Sequence, residues 1–353
     1  MNRKNILTEA LHIVHPFVQA PMLGVTTPSM VAAISNAGAL GSLPVGGLSP
    51  DITLSLIQQT KNCTNKPFAV NLFANDVPAS INEHAWNAMQ ALIEQFAKRY
   101  ELPYQKQSPE ALKFYTYKDQ VDIVLRENIP VVSFTFGMLS DDVIEMMHKN
   151  GVQLIGTATS VEEAQLLGEK NIDIIAVQGI EAGGHRGTFL HKDLPQTGLM
   201  SLLPQVVDAV DKPVLAAGAI TDGRSIHAAM ILGAKGVQVG SAFIACKESA
   251  ANTTYKENMG QVGDTDTVLT RAYTGRWMRC IKNEFTETVD ASGLAINEYP
   301  IQSALTGFMR TLHQHKNANK FLPMLTGQNP RNSFDMGAAE ILMEMIREAE
   351  FSG

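Results

Sequence analysis

Ile172-Asp173-Ile174-Ile175-Ala176-Val177 runs directly into Gln178-Gly179-Ile180-Glu181-Ala182-Gly183-Gly184-His185-Arg186-Gly187. The first six residues form an apolar, β-branched run bounded by turn residues, the pattern of a buried strand. Three of the last five residues of the second stretch are glycine, so the backbone there is free to approach a ligand or to take positive φ. Among them sits one imidazole able to exchange a proton near neutral pH. A tight turn with a surface histidine is the plainer reading. The rest of the chain argues against it, because the same construction recurs.

Comparable apolar runs occur at Phe17–Ala20, Ala39–Leu43, Phe68–Phe73, Val131–Phe134, Val152–Ile155, Val214–Ala217 and Gly236–Val239. Most lead into a helical pattern, as at Pro28–Asn36, Asp141–Lys149, Val161–Gly168 and from Asp222 to Leu232. Eight strand–helix units over about 240 residues match a (β/α)8 TIM barrel in count and length. A doubly wound sheet is the alternative. Two parts exceed the minimal barrel. Residues 75–118 form an insertion with its own helical run, Ile81–Tyr100, and beyond about residue 250 the chain turns polar and helical, broken by Pro300, Pro323 and Pro330. The expected organisation is a barrel over 1–250 and a helical C-terminal cap over 251–353, packed with it as one unit.

The candidate site residues cluster where a barrel assembles its active site, at the C-terminal ends of the strands. The first strand ends in Gln19-Ala20-Pro21-Met22, the third in Asn71-Leu72-Phe73, and the sixth in the segment with Gln178, Gly183 and His185. Gly218 with Ala219, and Gln238-Val239-Gly240-Ser241, follow or close the seventh and eighth. Glycine-freed amides beside helix N-termini attract a phosphate, and the loops after strands seven and eight are the usual barrel phosphate site. A GxGxxG fingerprint and a Walker lysine loop are both missing from the sequence, which argues against a dinucleotide fold or an NTPase.

Composition narrows the classes further. The chain has 353 residues, 45% of them apolar, enough for a large core. A net charge of −7 without a basic cluster gives no nucleic-acid surface. No apolar run reaches membrane length and the start, Met1-Asn2-Arg3-Lys4-Asn5, lacks a signal-peptide core; a soluble, cytoplasmic protein without a membrane partner is expected. Cys63, Cys246 and Cys280 are few, odd in number and distant, which suits reduced buried thiols. The pairs His12/His15 and His313/His315 lack companion ligands, so no metal is expected. Monomer and homodimer are both left open.

An ordered series of motifs resembles the FMN-dependent nitronate monooxygenases, formerly called 2-nitropropane dioxygenases, nearly end to end. Its carriers are Gln19-Ala20-Pro21-Met22 with Thr26-Thr27-Pro28, Lys66–Phe73, Ser133-Phe134-Thr135-Phe136-Gly137, Gly156–Ser160, Gln178–Gly187, Ala216-Ala217-Gly218 and Gly327-Gln328. The resemblance implies a barrel that binds FMN and oxidises alkyl nitronates, such as propionate 3-nitronate, with O2 to carbonyl compounds and nitrite, without nicotinamide, in a detoxification role. It implies that Ala20, Pro21 and Met22 lie against the flavin ring, that Asn71 and Gln178 hydrogen-bond it, and that Gly183 leaves room for it. It assigns Gly218, Gln238, Gly240 and Ser241 to the phosphate, and His185 to catalysis. The histidine either binds the anionic nitronate, the favoured role, or removes the α-proton of a neutral nitroalkane. Arg186 adds positive potential or forms a structural ion pair. Tyr299 and Lys282 are expected pocket residues from the cap. One departure is Ala219, where many relatives have a second glycine. The rival is an FMN-dependent enoyl-acyl-carrier-protein reductase using NAD(P)H; that family shares the Glu181–His185 core but tends to carry an acidic residue where this chain has Gln178. A non-catalytic flavin-binding barrel is a further alternative, which the presence of His185 disfavours.

Overall fold

The computed structural model describes residues 5–191, 193–330 and 335–351. Met1–Lys4 of the polar start, and residues 331–334 and 352–353 of the expected cap, lie outside them.

Among the described residues eight parallel strands build the main sheet: β1 Phe17–Gln19, β2 Gly41–Pro44, β3 Phe68–Phe73, β4 Val131–Thr135, β5 Gln153–Ala158, β6 Ile174–Gln178, β7 Val214–Ala217 and β8 Gly236–Val239. β1 pairs with β8 in the register Phe17↔Val237. It also meets β2 through the parallel bridge Val18↔Leu40, where the Gln19 N–H donates to the Leu40 carbonyl at 2.9 Å. The sheet therefore closes into a barrel, and the doubly wound alternative falls. The strand boundaries differ from the sequence reading mainly at the ends. β6 starts after Asp173, whose carboxylate is spent on the Leu154 N–H at 2.8 Å and on His148 at 3.1 Å. β5 and β4 run on to Ala158 and Thr135, because strand pairing continues past the last bulky apolar residue.

Both faces of each strand are buried, which is why the strands read as nearly continuous apolar runs. Val18, Leu40, Ala69, Val131, Ile155, Ile174, Ala176 and Leu215 form one core inside the barrel. Their neighbours, such as Phe17, Val70, Val132, Ile175 and Val177, face the surrounding helices in a second core. The bottom is plugged by helix Ile6–Leu11, which carries Leu7 and Leu11 into the inner core. Asn5 starts that helix by a reciprocal capping box with Thr8, a signal the sequence reading passed over.

The insertion and the cap share a third core. Trp86, Met89, Ile93 and Phe96 of helix Glu83–Arg99 pack with Tyr273, Phe285, Leu305 and Phe321. The cap also contributes strands Thr267–Thr270 and Met278–Ile281, to which the two-residue strand Gly184–His185 adds antiparallel, with His185 opposite Met278. The last helix, Ala338–Phe351, does not belong to this layer. It packs on the helices Gly223–Ile231 and Pro28–Asn36, with Ile341, Leu342, Met345 and Ile346 in the barrel's outer core. It stands where the helix following β8 is due, so the cap is inserted between a strand and its own helix. No described helix is long and apolar enough to cross a membrane.

Candidate active site

Side chains of a strand alternate between its two faces, so a residue two positions beyond an inner-core residue also points inward. Applied to β2, β3, β4, β5, β6 and β8, this rule puts Ser42, Asn71, Ser133, Thr157, Gln178 and Gln238 in one layer at the top of the barrel. The inner core is apolar at the bottom and becomes hydroxyl and amide at the mouth. Asn71 Nδ2 donates to Ser133 Oγ at 3.0 Å. The Ser42 hydroxyl is 1% exposed and has no protein partner, an uncommon expense for a buried polar group.

Gln178 uses its amide on its own loop: Nε2 donates to the His185 carbonyl and Oε1 accepts from the Gly187 N–H, each at 2.9 Å. The loop is thereby clipped back over the barrel with His185 at its edge. A Cβ at Gly187 would stand 2.6 Å from Thr157 Cγ2 and 2.9 Å from Thr135 Oγ1, so only glycine lets the chain cross there.

His185 is half-buried in a box of rings. Phe136 meets it edge-on at 5.3 Å between centroids, and Tyr299 lies 6.4 Å away. Phe73 closes the box, 4.5 Å from Phe136 and 6.0 Å from Tyr299. Phe136 takes φ 78°, a strained conformation for a bulky residue and one that clusters at functional sites. The Arg276 guanidinium covers its ring at 4.3 Å and donates to its carbonyl at 3.0 Å. Nε2 of His185 lies 2.9 Å from Thr274 Oγ1. Burial, with the positive charges of Arg310 and Arg276, pushes the imidazole down to about 3, so it is neutral throughout the physiological range. Burial likewise holds the Tyr299 phenol at about 12, against the opposing charges of Arg276 and Arg310.

A titration follows from these values. The folded-state pKa of His185 lies below the unfolded value near 6.5, so its neutral form contributes fully above pH 6.5. That stability is lost as pH falls from there toward 3. Turnover is expected to show no inflection near pH 6.5 while the fold persists; a histidine-like step in kcat/KM between pH 6 and 7 contradicts this assignment.

On the opposite side of the mouth, the end of β1 meets the end of β8. The Ala20 N–H donates to the Val239 carbonyl at 2.8 Å, and the Met22 N–H donates to Thr26 Oγ1 at 3.2 Å. A Cβ at Gly240 would stand 3.4 Å from the Ala20 Cβ and 3.6 Å from Met22 Sδ, so the residues expected around a flavin are brought together. Pro21 sits between them. Ser241 opens a 3-10 turn, and its Oγ accepts from the Gly327 N–H at 3.0 Å. After β7, Gly218 and Ala219 take φ 115° and 54°. A left-handed alanine costs about 1–2 kcal/mol, partly offset by its lower unfolded-state entropy. Ala219→Gly is therefore expected to raise stability by up to about 1 kcal/mol, read as a higher thermal midpoint; a fall would show that the turn does not need positive φ.

Several expectations change in detail. The start of the helix after β7 is already filled with carboxylates: Asp222 caps it, and Glu348 accepts from the Gly223 N–H at 3.0 Å. An anion is therefore left with the turn amides around Gly218 and Ser241. At Gly183 the room a side chain would take holds the Thr326–Gly327 backbone, 2.4 Å from the would-be Cβ. Arg186 is 1% exposed and donates to the carbonyls of Gln178 and Gly179, with no ion pair among the described residues. Burial lowers its pKa to about 10, while Glu163 and Glu181 oppose that shift. Lys282 is exposed and pairs with Glu287 at 3.0 Å. Cys246 and Cys280 are buried thiols pushed up to about 12 by burial, whereas Cys63 is exposed at the end of a helix. No cluster among the described residues could hold a metal ion. The sequence reading missed Thr274, Arg276 and the ring box as site elements. Only the Phe136-Gly137 and Tyr299-Pro300 pairs gave a signal.

Comparison with known proteins agrees with this geometry. The family model described as nitronate monooxygenase matches residues 4–348. A probable nitronate monooxygenase of Staphylococcus saprophyticus is 38% identical over 346 residues, 97% of each chain. Among solved structures, a nitroalkane oxidase from Streptomyces ansochromogenes superposes with a TM-score of 0.89 at 32% identity over 99% of each chain. FabK from Thermotoga maritima reaches 0.76 at 26%, over 99% of this chain and 97% of its own. Fold and relatives together define a flavin-dependent oxidoreductase built on a (β/α)8 barrel. The chain belongs to the nitronate monooxygenase family.

Proposed function

We propose that this protein is a cytoplasmic, FMN-dependent nitronate monooxygenase that converts alkyl nitronates, propionate 3-nitronate among them, with O2 into carbonyl compounds and nitrite, without a nicotinamide. A detoxification role follows from that chemistry. The observation that carries the reading is His185, 2.9 Å from Thr274 Oγ1 at the edge of an aromatic box above a polar barrel mouth.

The residues present fit the cofactor. The orphaned Ser42 hydroxyl and the Asn71 amide offer polar contacts for a flavin ring, Gln178 has one N–H left beyond its two loop bonds, and Ala20, Pro21 and Met22 form the wall. The turns at Gly218-Ala219 and Gly240-Ser241 offer amides for one phosphate, and Gln238 stands beside them. One phosphate site favours FMN over a dinucleotide flavin. A bound flavin supplies the redox chemistry, accepting electrons from the substrate and passing them to oxygen.

The chain's own residues do the rest. The box of Phe73, Phe136 and Tyr299 excludes water from the reacting carbon. A neutral imidazole offers a lone pair and no charge, which supports His185 as a base over the cationic role; its low pKa makes it a weak base, so the proton transfer relies on nearby positive charge to stabilise the nitronate as it forms. His185 takes the α-proton of a neutral nitroalkane: the C–H bond breaks, the proton moves to a ring nitrogen, and the electron pair passes to the nitro group. Arg276 and Arg310 supply the positive potential for the resulting nitronate, or for one that arrives preformed. The cap, tied to the barrel through the His185 strand, forms the substrate side. Oxygen uptake with propionate 3-nitronate tests the reading, together with nitrite release and identification of the heat-released flavin. Stoichiometric nitrite and free FMN support it; no uptake, or a released FAD, refutes it in that part.

A further inference from the structure

Thr274 lies on the cap turn between strands Thr267–Thr270 and Met278–Ile281 and is 1% exposed. Its hydroxyl has one proton and two lone pairs to distribute. Oγ1 donates to the Arg276 carbonyl at 3.3 Å, with Met278 Sδ at 3.8 Å as the alternative acceptor. Toward Nε2 of His185, 2.9 Å away, the oxygen then accepts. Nε2 carries the hydrogen, and Nδ1 keeps its lone pair. The reverse arrangement would take the donor from the Arg276 carbonyl and leave an Nδ1–H without an acceptor among the described residues, with the rings of Phe136 and Tyr299 packed beside the imidazole. A half-buried donor without an acceptor is costly.

We propose that Thr274 is a positioning residue that holds His185 in the Nε2–H tautomer and thereby presents Nδ1 as the base. The α-proton of the nitroalkane passes to Nδ1, its electron pair goes to the nitro group, and the imidazolium keeps its Nε2–H donated to Thr274 Oγ1. Because Thr274 comes from the cap and His185 from the loop after β6, the correct tautomer requires the three-stranded sheet that joins them. The base role rests on the function proposed above; the tautomer does not.

Thr274→Val removes the hydroxyl at nearly constant shape, and Thr274→Ser retains it. The first measurement is 15N NMR of the histidine-labelled holoenzyme, which separates a bare from a protonated Nδ1. The second is kcat/KM for nitroethane relative to its preformed nitronate, with the α-deuterium isotope effect. We expect a bare Nδ1 in the wild type and in T274S, and a tautomer mixture in T274V. We also expect the nitroethane-to-nitronate ratio to fall at least tenfold in T274V, within the ~10²–10⁴ that a general base contributes, and to recover in T274S. A protonated Nδ1 in the wild type overturns the tautomer, and an unchanged substrate ratio in a flavin-loaded T274V overturns the positioning role. A bare Nδ1 in an enzyme that oxidises neither substrate sinks the functional reading and the base role with it, while leaving the tautomer assignment standing.

Discussion

Replacing His185 by asparagine is expected to lower turnover of a neutral nitroalkane by ~10²–10⁴, the usual contribution of a positioned general base, and to lower turnover of the preformed nitronate much less. The substitution leaves the local fold in place, because the residue is held by its backbone. The His185 carbonyl accepts from Gln178, and the strand pairs opposite Met278. Only the titrating ring is lost. The difference between the two substrates follows from the site. The nitronate has already surrendered its α-proton, and the positive charges of Arg276 and Arg310 remain to receive it. Steady-state kinetics on nitroethane and ethyl nitronate decide the matter. Equal losses on both would mean that His185 binds the anion, the role the sequence reading preferred.

The largest effect on stability is expected at Glu163, on the helix after β5. Its side chain is fully buried and is an acceptor for five donors. Oε2 receives the Thr159 N–H at 2.7 Å and its hydroxyl at 2.8 Å. Oε1 receives the Thr188 hydroxyl at 3.0 Å, the Phe189 N–H at 2.6 Å and the Leu190 N–H at 3.1 Å. The carboxylate ties the stretch following His185 to the rim of the barrel. Glu163→Ala strands buried donors at ~1–3 kcal/mol each and opens a cavity. We expect a loss of about 3–5 kcal/mol overall, measured as a drop in thermal midpoint with weakened flavin retention. Glu163→Gln fills the space but keeps only one acceptor oxygen and turns an NH2 toward the remaining donors, so it is expected to destabilise as well, by less than alanine because no cavity opens. A Glu163→Ala protein as stable as the wild type would show that these bonds do not hold the loop.

These two residues illustrate what the sequence makes legible. His185 stands out because glycines flank it and a buried strand precedes it. Those glycines have mechanical reasons: Gly187 crosses Thr135 and Thr157, and Gly183 meets Thr326–Gly327. The strands were readable because both faces of a closed parallel sheet are apolar. Their polar ends were not, since Thr135, Thr157 and Gln178 pair as strand yet face the barrel mouth. Glu163 looks like any exposed helix residue until the fold folds its loop over it. Thr274 reaches His185 from 89 positions away, and no local pattern marks a turn threonine as a partner for a distant imidazole. The same distance hid the place of helix Ala338–Phe351, which a stretch of cap separates from the strand it follows. Lys282 and Cys63 went the other way: residue type suggested a pocket or a buried thiol, and both lie at the surface.

A nitronate, and not a nicotinamide, is expected to reduce the flavin of this barrel. Anaerobic mixing of the purified flavoprotein with propionate 3-nitronate, and separately with NADH and NADPH, tests it with one absorbance trace each. The oxidised flavin band is expected to be lost with the nitronate and to persist over the same time with either nicotinamide. Rapid bleaching by NADH or NADPH with no response to the nitronate would contradict it.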